Sequence, residues 1–275
     1  MSRIEEITSL TNPKVKAIRA LQQKKFRDQD NLFMAEGLKL VIDALEQGWT
    51  IKSFVHAKSS RGKLAMDDAA AKAAARGAQV LIVPEKILTA ITRRDNPQAA
   101  VGVFEQRFGR LDSIKPGRND VYVALDRVRD PGNLGTIMRT ADATGARGVI
   151  LVGDCTDPFS LETVRATMGS VFAVPLYKAS EAEFIAWANK WPDMVAGTHL
   201  EGSVDYRVPD YAAGPVLLVM GNEQQGLTEA LAKACNTLVR IPQVGKADSL
   251  NLAVATGVML YEVQRTALAP ESGLS

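Results

Sequence analysis

Apolar positions recur along this chain in two alternating rhythms, one of about 3.6 residues and one of short unbroken runs, and the alternation predicts a mixed α/β protein. Val15, Ile18 and Leu21 form a stripe among lysines and arginines, and Asn12 before Pro13 supplies a capping side chain and a first-turn proline. The spacing predicts a helix over Pro13 to Lys25. Leu32 to Ala35 is a short strand, and Leu38, Val41, Ile42 and Leu45 mark the inward face of a helix from Gly37 to Glu46. Ile51 to Val55 and Gln79 to Val83 read as buried strands around an Ala-rich helix from Lys63 to Arg76. A helix near Glu85 to Thr92 and a strand from Ala99 to Phe104 complete a small αβ sandwich.

Arg107 to Asp120 breaks the rhythm with Gly109, Pro116, Gly117 and several charges, which is linker composition. The predicted division is a first domain over residues 1–110, a linker over 111–118 and a second domain over 119–275. In the second domain, strands are predicted at Val121 to Leu125, Gly148 to Val152, Val171 to Leu176, Met194 to Thr198, Val216 to Met220 and Leu238 to Ile241. Helices fall between them, and Leu250 to Thr266 closes the chain. Such alternation implies a mostly parallel sheet. Topology rules alone give an unknotted, doubly wound domain.

Composition narrows the class. The 275 residues are 46% hydrophobic and 23% charged, as in an ordinary globular protein of two domains. No apolar run reaches the length of a membrane span, and MSRIEEITSLTNPK lacks the apolar core of a secretory signal. Cys155 and Cys235 are too few for a disulfide framework or a metal cluster, so reduced thiols, buried or half-buried, are expected in the cytosol or another reducing compartment. Net charge is only +2, but Asn12 to Arg27 holds six basic residues (Lys14, Lys16, Arg19, Lys24, Lys25, Arg27) and no acidic one. Such a cluster supplies sequence-independent affinity for nucleic acid, or is simply a solvated helix face.

Three polar blocks stand where strands give way to loops: LDRVRDPGNLGTIMRTADATGA (Leu125 to Ala146), LVMGNEQQGL (Leu218 to Leu227) and IPQVGKADSLNLAVATGVMLYE (Ile241 to Glu262). Open α/β sheets bind ligands in such loops. Asn133 sits where an N-cap or a ligand-orienting amide is expected, and Arg139 brings a planar fork suited to phosphate. The plain alternative is that Asn133 caps and Arg139 pairs with a nearby Asp. The second block is not a phosphate loop, since no Lys-Ser or Lys-Thr follows Gly226, and there is no dinucleotide fingerprint elsewhere. Glu223 could merely begin a helix, and Ser249 and Asn251 could merely cap one.

The three blocks, in this order and spacing, resemble the signature motifs of the SpoU/TrmH family of RNA ribose 2′-O-methyltransferases, part of the SPOUT superfamily. RATMGSVFAVPLY (Arg165 to Tyr177) resembles the stretch between the first two. The resemblance implies a C-terminal trefoil knot, S-adenosyl-L-methionine as methyl donor, a homodimer and no metal. It makes Arg139, Asn133, Glu223, Ser249 and Asn251 the catalytic residues. It gives donor contacts to Gly221, Ile241 and Leu250, with Thr198, at a strand end beside His199, assigned to the same pocket. Gln243 departs from the family's commonest Met. Thr11 to Leu45 and Asn96 to Phe104 resemble a ribosomal-protein-like RNA-binding domain, which makes the six cations RNA contacts and favours ribosomal over transfer RNA. The rivals are a transfer-RNA ribose or RNA base methyltransferase of the same fold, and an RNA-binding protein without catalysis.

Overall fold

The computed structural model describes residues 4–200, 203–246 and 249–268, so that Ala247 and Asp248 of the third block lie outside the described residues. The chain divides into two compact units, Met1–Arg107 with Asp157–Ala173, and Phe108–Thr156 with Val174–Ser275. In chain order the first unit runs β1 (Ile4–Glu6), α1 (Pro13–Ala20), α2 (Lys24–Asp30), β2 (Leu32–Glu36), α3 (Leu38–Glu46), β3 (Ile51–Ala57), α4 (Leu64–Ala75), β4 (Gln79–Val83), α5 (Glu85–Thr92) and β5 (Ala100–Glu105). Next come β6 (Val121–Asp126), α6 (Pro131–Ala143) and β7 (Gly148–Val152) of the second unit, then α7 (Leu161–Ala166) and α8 (Ser170–Ala173), which belong to the first. The rest of the second unit is β8 (Leu176–Ala179), α9 (Glu181–Ala188), β9 (Met194–Thr198), β10 (Val204–Asp205), β11 (Val216–Met220), α10 (Glu229–Ala234), β12 (Thr237–Arg240) and α11 (Leu252–Val263).

The first unit is a five-stranded sheet in the order β1-β4-β3-β5-β2, parallel from β1 to β3 and antiparallel at β5 and β2. Val15, Ile18 and Leu21 pack with Met34, Val55, Leu81, Ile87, Ile91 and Val103 in its core. The predicted Pro13 to Lys25 helix is in fact two helices, although Asn12 caps the first, accepting from the Lys14 N–H at 2.9 Å. The interruption is tertiary. The Gln22 side chain donates to the carbonyls of Ala90 and Ile91 at 2.8 and 2.7 Å, serving open carbonyls at the end of α5.

The segment Asp157–Ala173, assigned from sequence to the C-terminal domain, packs in the first unit. Val171 to Leu176 is not the predicted strand: Ser170–Ala173 is helical and β8 begins only at Leu176. A short apolar run does not distinguish strand from buried helix, and this one is fixed by what it packs on. The Phe172 ring lies 5.1 Å from that of Phe104 and 5.2 Å from that of Trp49, whose indole N–H donates to the Phe172 carbonyl at 2.9 Å. Arg27 corrects a second expectation. It is not an RNA-facing cation but a buried one, donating to Asp157 Oδ2 through Nε and Nη2 (2.9 and 2.5 Å) and to the Leu21 carbonyl (2.8 Å). Its side chain is only 5% exposed and that of Asp157 11%. Arg165 likewise donates to the buried Glu36 carboxylate, at 3.0 and 2.8 Å.

The second unit is a seven-stranded sheet in the order β10-β12-β9-β11-β6-β7-β8, parallel at every pairing. Central strands β6, β7 and β11 are buried throughout, as their unbroken apolar runs require. Ala124, Ile150, Val219, Phe184, Trp191 and Leu231 make one core beneath α9 and α10, and α11 packs against α6. Among the described residues no helix is long and apolar enough to cross a membrane.

Removing one partner of a buried ion pair strands the other. Arg27→Ala or Asp157→Ala is expected to destabilise the first unit by about 3–5 kcal/mol, whereas Arg27→Met with Asp157→Leu together costs much less. Urea unfolding followed by tryptophan fluorescence checks this; single variants that unfold at the wild-type midpoint would refute it.

Candidate active site

Because β9, β12, β11 and β6 are parallel neighbours, the loops that follow them open along one edge of the sheet. After β6 the chain turns through Arg127, a non-glycine residue at φ +47°, and enters α6. The N-cap of α6 is Asp130, not Asn133: its carboxylate accepts from the Asn133 N–H at 2.6 Å, with Pro131 in the first turn. The Asn133 side chain is thus free to reach outward. Its Nδ2 donates to Glu223 Oε1 at 3.3 Å, and its Oδ1 accepts from Asn251 Nδ2 at 2.9 Å. Asn251 also caps α11, its Oδ1 accepting from the N–H groups of Ala253 and Val254. The other Glu223 oxygen accepts from Asn222 Nδ2 at 3.4 Å. Side-chain amides from two further loops therefore join the three blocks around one carboxylate.

The second loop closes on itself. The N–H groups of Asn222 and Gly226 donate to each other's carbonyls at 3.0 Å, and Asn222 Oδ1 accepts from the N–H groups of Gln224 and Gln225. Gly226 has φ +66°, a conformation that favours glycine. At Gly221 a Cβ would lie 2.5 Å from the backbone of Gly226 and Leu227, so the closure requires glycine there.

Beside this loop is a cleft of ≈ 610 Å³ whose walls include Thr198, His199, Met220, Gly221, Glu223, Val239, Ile241, Ser249, Leu250 and Leu252. All four residues assigned to the methyl donor meet there, with Glu223 and Ser249. Its size and mixed apolar and polar lining fit a nucleoside-containing ligand. A smaller polar recess of ≈ 390 Å³ is lined by Arg127, Arg129, Asp130 and Asn222 to Gln225, so the second loop borders both spaces.

Arg139 is not brought into the cleft. It is exposed on α6, and its side chain has no hydrogen-bond or ion-pair partner among the described residues. Six residues beyond Asn133, it points about 120° away around the helix. His199 lines the cleft, while His56 is buried in the first unit, where burial lowers its pKa. Lys16, Arg19, Lys24 and Lys25 are exposed in the first unit, and Lys14 is half-buried in an ion pair with Glu5. No group of His, Cys, Asp and Glu suited to a metal occurs among the described residues. Sequence reasoning passed over Arg127 and Asn222. An Asn directly before Glu223 was a usable signal; for Arg127 there was none.

Residues 120–261 match the SpoU rRNA Methylase family, and residues 12–102 match the MRM3-like substrate binding domain. The chain is 31% identical to the 23S rRNA (uridine(2479)-2′-O)-methyltransferase of Streptomyces viridochromogenes, over 89% of this chain and 86% of that one. It is 29% identical to the 23S rRNA (guanosine(2553)-2′-O)-methyltransferase of Bacillus subtilis, over 95% and 100%. Among solved structures it is similar to the AdoMet-bound rRNA methyltransferase from Sinorhizobium meliloti, with a TM-score of 0.93, 60% identity, and coverage of 98% of this chain and 100% of that one.

The crowding at Gly221 gives a direct test. Gly221→Ala is expected to spring the second loop and weaken donor binding by about tenfold or more, since backbone cannot yield as a flexible side chain does. Isothermal titration with S-adenosylmethionine measures it, and wild-type affinity would show that the closed loop does not shape the cleft.

Proposed function

Because the chain belongs to the SpoU rRNA methylase family, we propose that it transfers a methyl group from S-adenosylmethionine to the 2′-hydroxyl of a ribose in ribosomal RNA. The observation that carries this reading is the meeting of Asn133, Glu223 and Asn251 beside a cleft lined by Thr198, Gly221, Ile241 and Leu250. Those last four would hold the donor, which when bound supplies an electrophilic methyl on a sulfonium.

The chain's own residues then have separable tasks. A ribose hydroxyl is a weak nucleophile until its proton is drawn off. Asn133 and Asn222 fix the Glu223 carboxylate through one oxygen each, and Asn251 fixes Asn133 in turn. Ser249 adds a hydroxyl to the cleft wall. A guanidinium donates hydrogen bonds and accepts none, so the contribution of Arg139 is electrostatic: it steadies the developing alkoxide or holds a phosphate that positions the ribose.

The assembly in this reading is a homodimer with the family's trefoil knot. Its support is that Val254 and Tyr261, one heptad apart on α11, are 53% and 56% exposed, and that Arg139 has no partner of its own among the described residues. The RNA-facing cations are Lys14, Lys16, Arg19, Lys24 and Lys25. A cytoplasmic location fits Cys155 and Cys235, both free, whose thiols burial pushes up to about 11 and about 12.

Methyl transfer from labelled donor to unmodified ribosomal RNA, followed by alkaline hydrolysis, tests the reaction. Label is expected in alkali-resistant dinucleotides; label confined to mononucleotides means base methylation, and transfer to transfer RNA alone moves the substrate. Arg139→Ala is expected to lower turnover by about a hundredfold or more while donor affinity holds.

Replacing Lys16, Arg19, Lys24 and Lys25 with Ala is expected to weaken RNA binding and flatten its dependence on log salt by roughly 0.7 per lost phosphate contact. Filter binding across a salt series reads this. A slope equal to wild type means that the surface does not touch RNA.

A further inference from the structure

Arg127 falls outside the catalytic and donor-binding sets, yet it touches the second loop at both of its ends. Its carbonyl accepts from Asn222 Nδ2 at 2.9 Å. Its Nη1 donates to Gln225 Oε1 at 2.8 Å, and Nη2 lies 3.5 Å from the Gly226 carbonyl oxygen. Glu223 sits between these two attachment points. Arg127 is itself held. Nε and Nη2 form a two-pronged pair with Asp126 Oδ1 and Oδ2, both at 2.9 Å, and the Asp126 side chain is only 1% exposed. Its N–H extends the sheet by donating to the Val152 carbonyl at 3.0 Å.

The conformation belongs to the same device. A φ of +47° is uncommon for a residue with a long side chain, and here it sends carbonyl and guanidinium to opposite ends of one loop. A Cβ at Gly153 would meet Arg127 Cγ at 3.2 Å, so the neighbouring strand end leaves just enough room for the arginine stem. Arg127 is also a poor phosphate ligand, because Asp126 already occupies its fork.

We propose that Arg127 is a positioning residue for methyl transfer, transmitting the rigid end of β6, through its bond to Asp126, to the loop that presents Glu223 to Asn133. This rests on Glu223 serving in the active site as read above. Lysine is a poor substitute, since a point charge does not bond Asp126 with two prongs and Gln225 with a third.

The test uses the full chain with ribosomal RNA and S-adenosylmethionine, and compares Asp126→Asn/Arg127→Gln, which leaves neither charge buried alone, with Glu223→Ala and with all three changes combined. The Asp126/Arg127 double variant is expected to lose about tenfold to a hundredfold in kcat, with KM for RNA and donor Kd nearly unmoved. In the Glu223→Ala background the same two changes should cost nothing further, because the residue they position is gone. Unchanged kcat, or an undiminished loss without Glu223, overturns the proposal. A Glu223→Ala enzyme with wild-type kcat instead overturns the active-site reading beneath it. Should the Asp126/Arg127 double variant fail to fold, Gln225→Ala and Gln225→Glu decide: the first is expected to lower kcat and the second, which keeps an acceptor for Nη1, to restore it. Equal, wild-type turnover by both would sink the idea.

Discussion

Parallel pairing is the constraint on which the second unit rests. With all strands pointing one way, the carboxyl ends of β6, β9, β11 and β12 share one edge of the sheet, and each loop that follows begins there. Asn133 and Glu223 are far apart in sequence yet follow adjacent strands, β6 and β11, so a side-chain amide spans the distance between their loops. The same pairing buries the central strands on both faces and leaves their ends as the place for polar chemistry. The site is therefore a property of the sheet's polarity before it is a property of any single residue.

What holds that edge together is largely uncharged. Asn133, Asn222 and Asn251 carry the contacts between loops, each using amide N–H and carbonyl in different directions. An amide both donates and accepts, so a chain of them links three loops while holding the Glu223 carboxylate among them. Arginine enters in two contrasting forms. Arg127 is neutralised by Asp126 and built into the frame, while Arg139 stands on the surface of α6 away from the cleft. Of the two, the second has a fork with no partner among the described residues, open to RNA or to the site of a second protomer in the dimer proposed above.

Much of this was legible in the sequence. Unbroken apolar runs marked β6, β7, β9 and β11 closely, because strands buried on both faces must be apolar throughout. The second and third blocks led to Gly221, Ile241, Leu250, Glu223 and Ser249, and the strand end beside His199 led to Thr198; all six line one cleft. Three of the misses share a cause: each depends on a partner distant in sequence. The break after α1 comes from Gln22 reaching α5, and Val171 to Ala173 is helical on an aromatic cluster supplied by β2, β5 and Trp49. Arg27 reads as one more surface cation until Asp157 is seen beside it. Asp130 was a local miss, since an acidic residue before proline is itself a capping signal.

The discontinuous make-up of the first unit bears on how the chain is made. When Arg107 has been synthesised, all five strands of that unit's sheet exist, but Phe159 and Phe172 of its aromatic cluster do not, nor do Asp157, the countercharge of Arg27, and Arg165, the nearer of the two arginines on Glu36. At roughly 5–20 residues per second, several seconds of translation separate the sheet from the segment that completes its core. Through that interval β6, α6 and β7 of the second unit are also being made, so neither unit is finished before the other has begun. A shortened gene ending near residue 107 would yield a sheet with an open aromatic face, a state the growing chain only passes through.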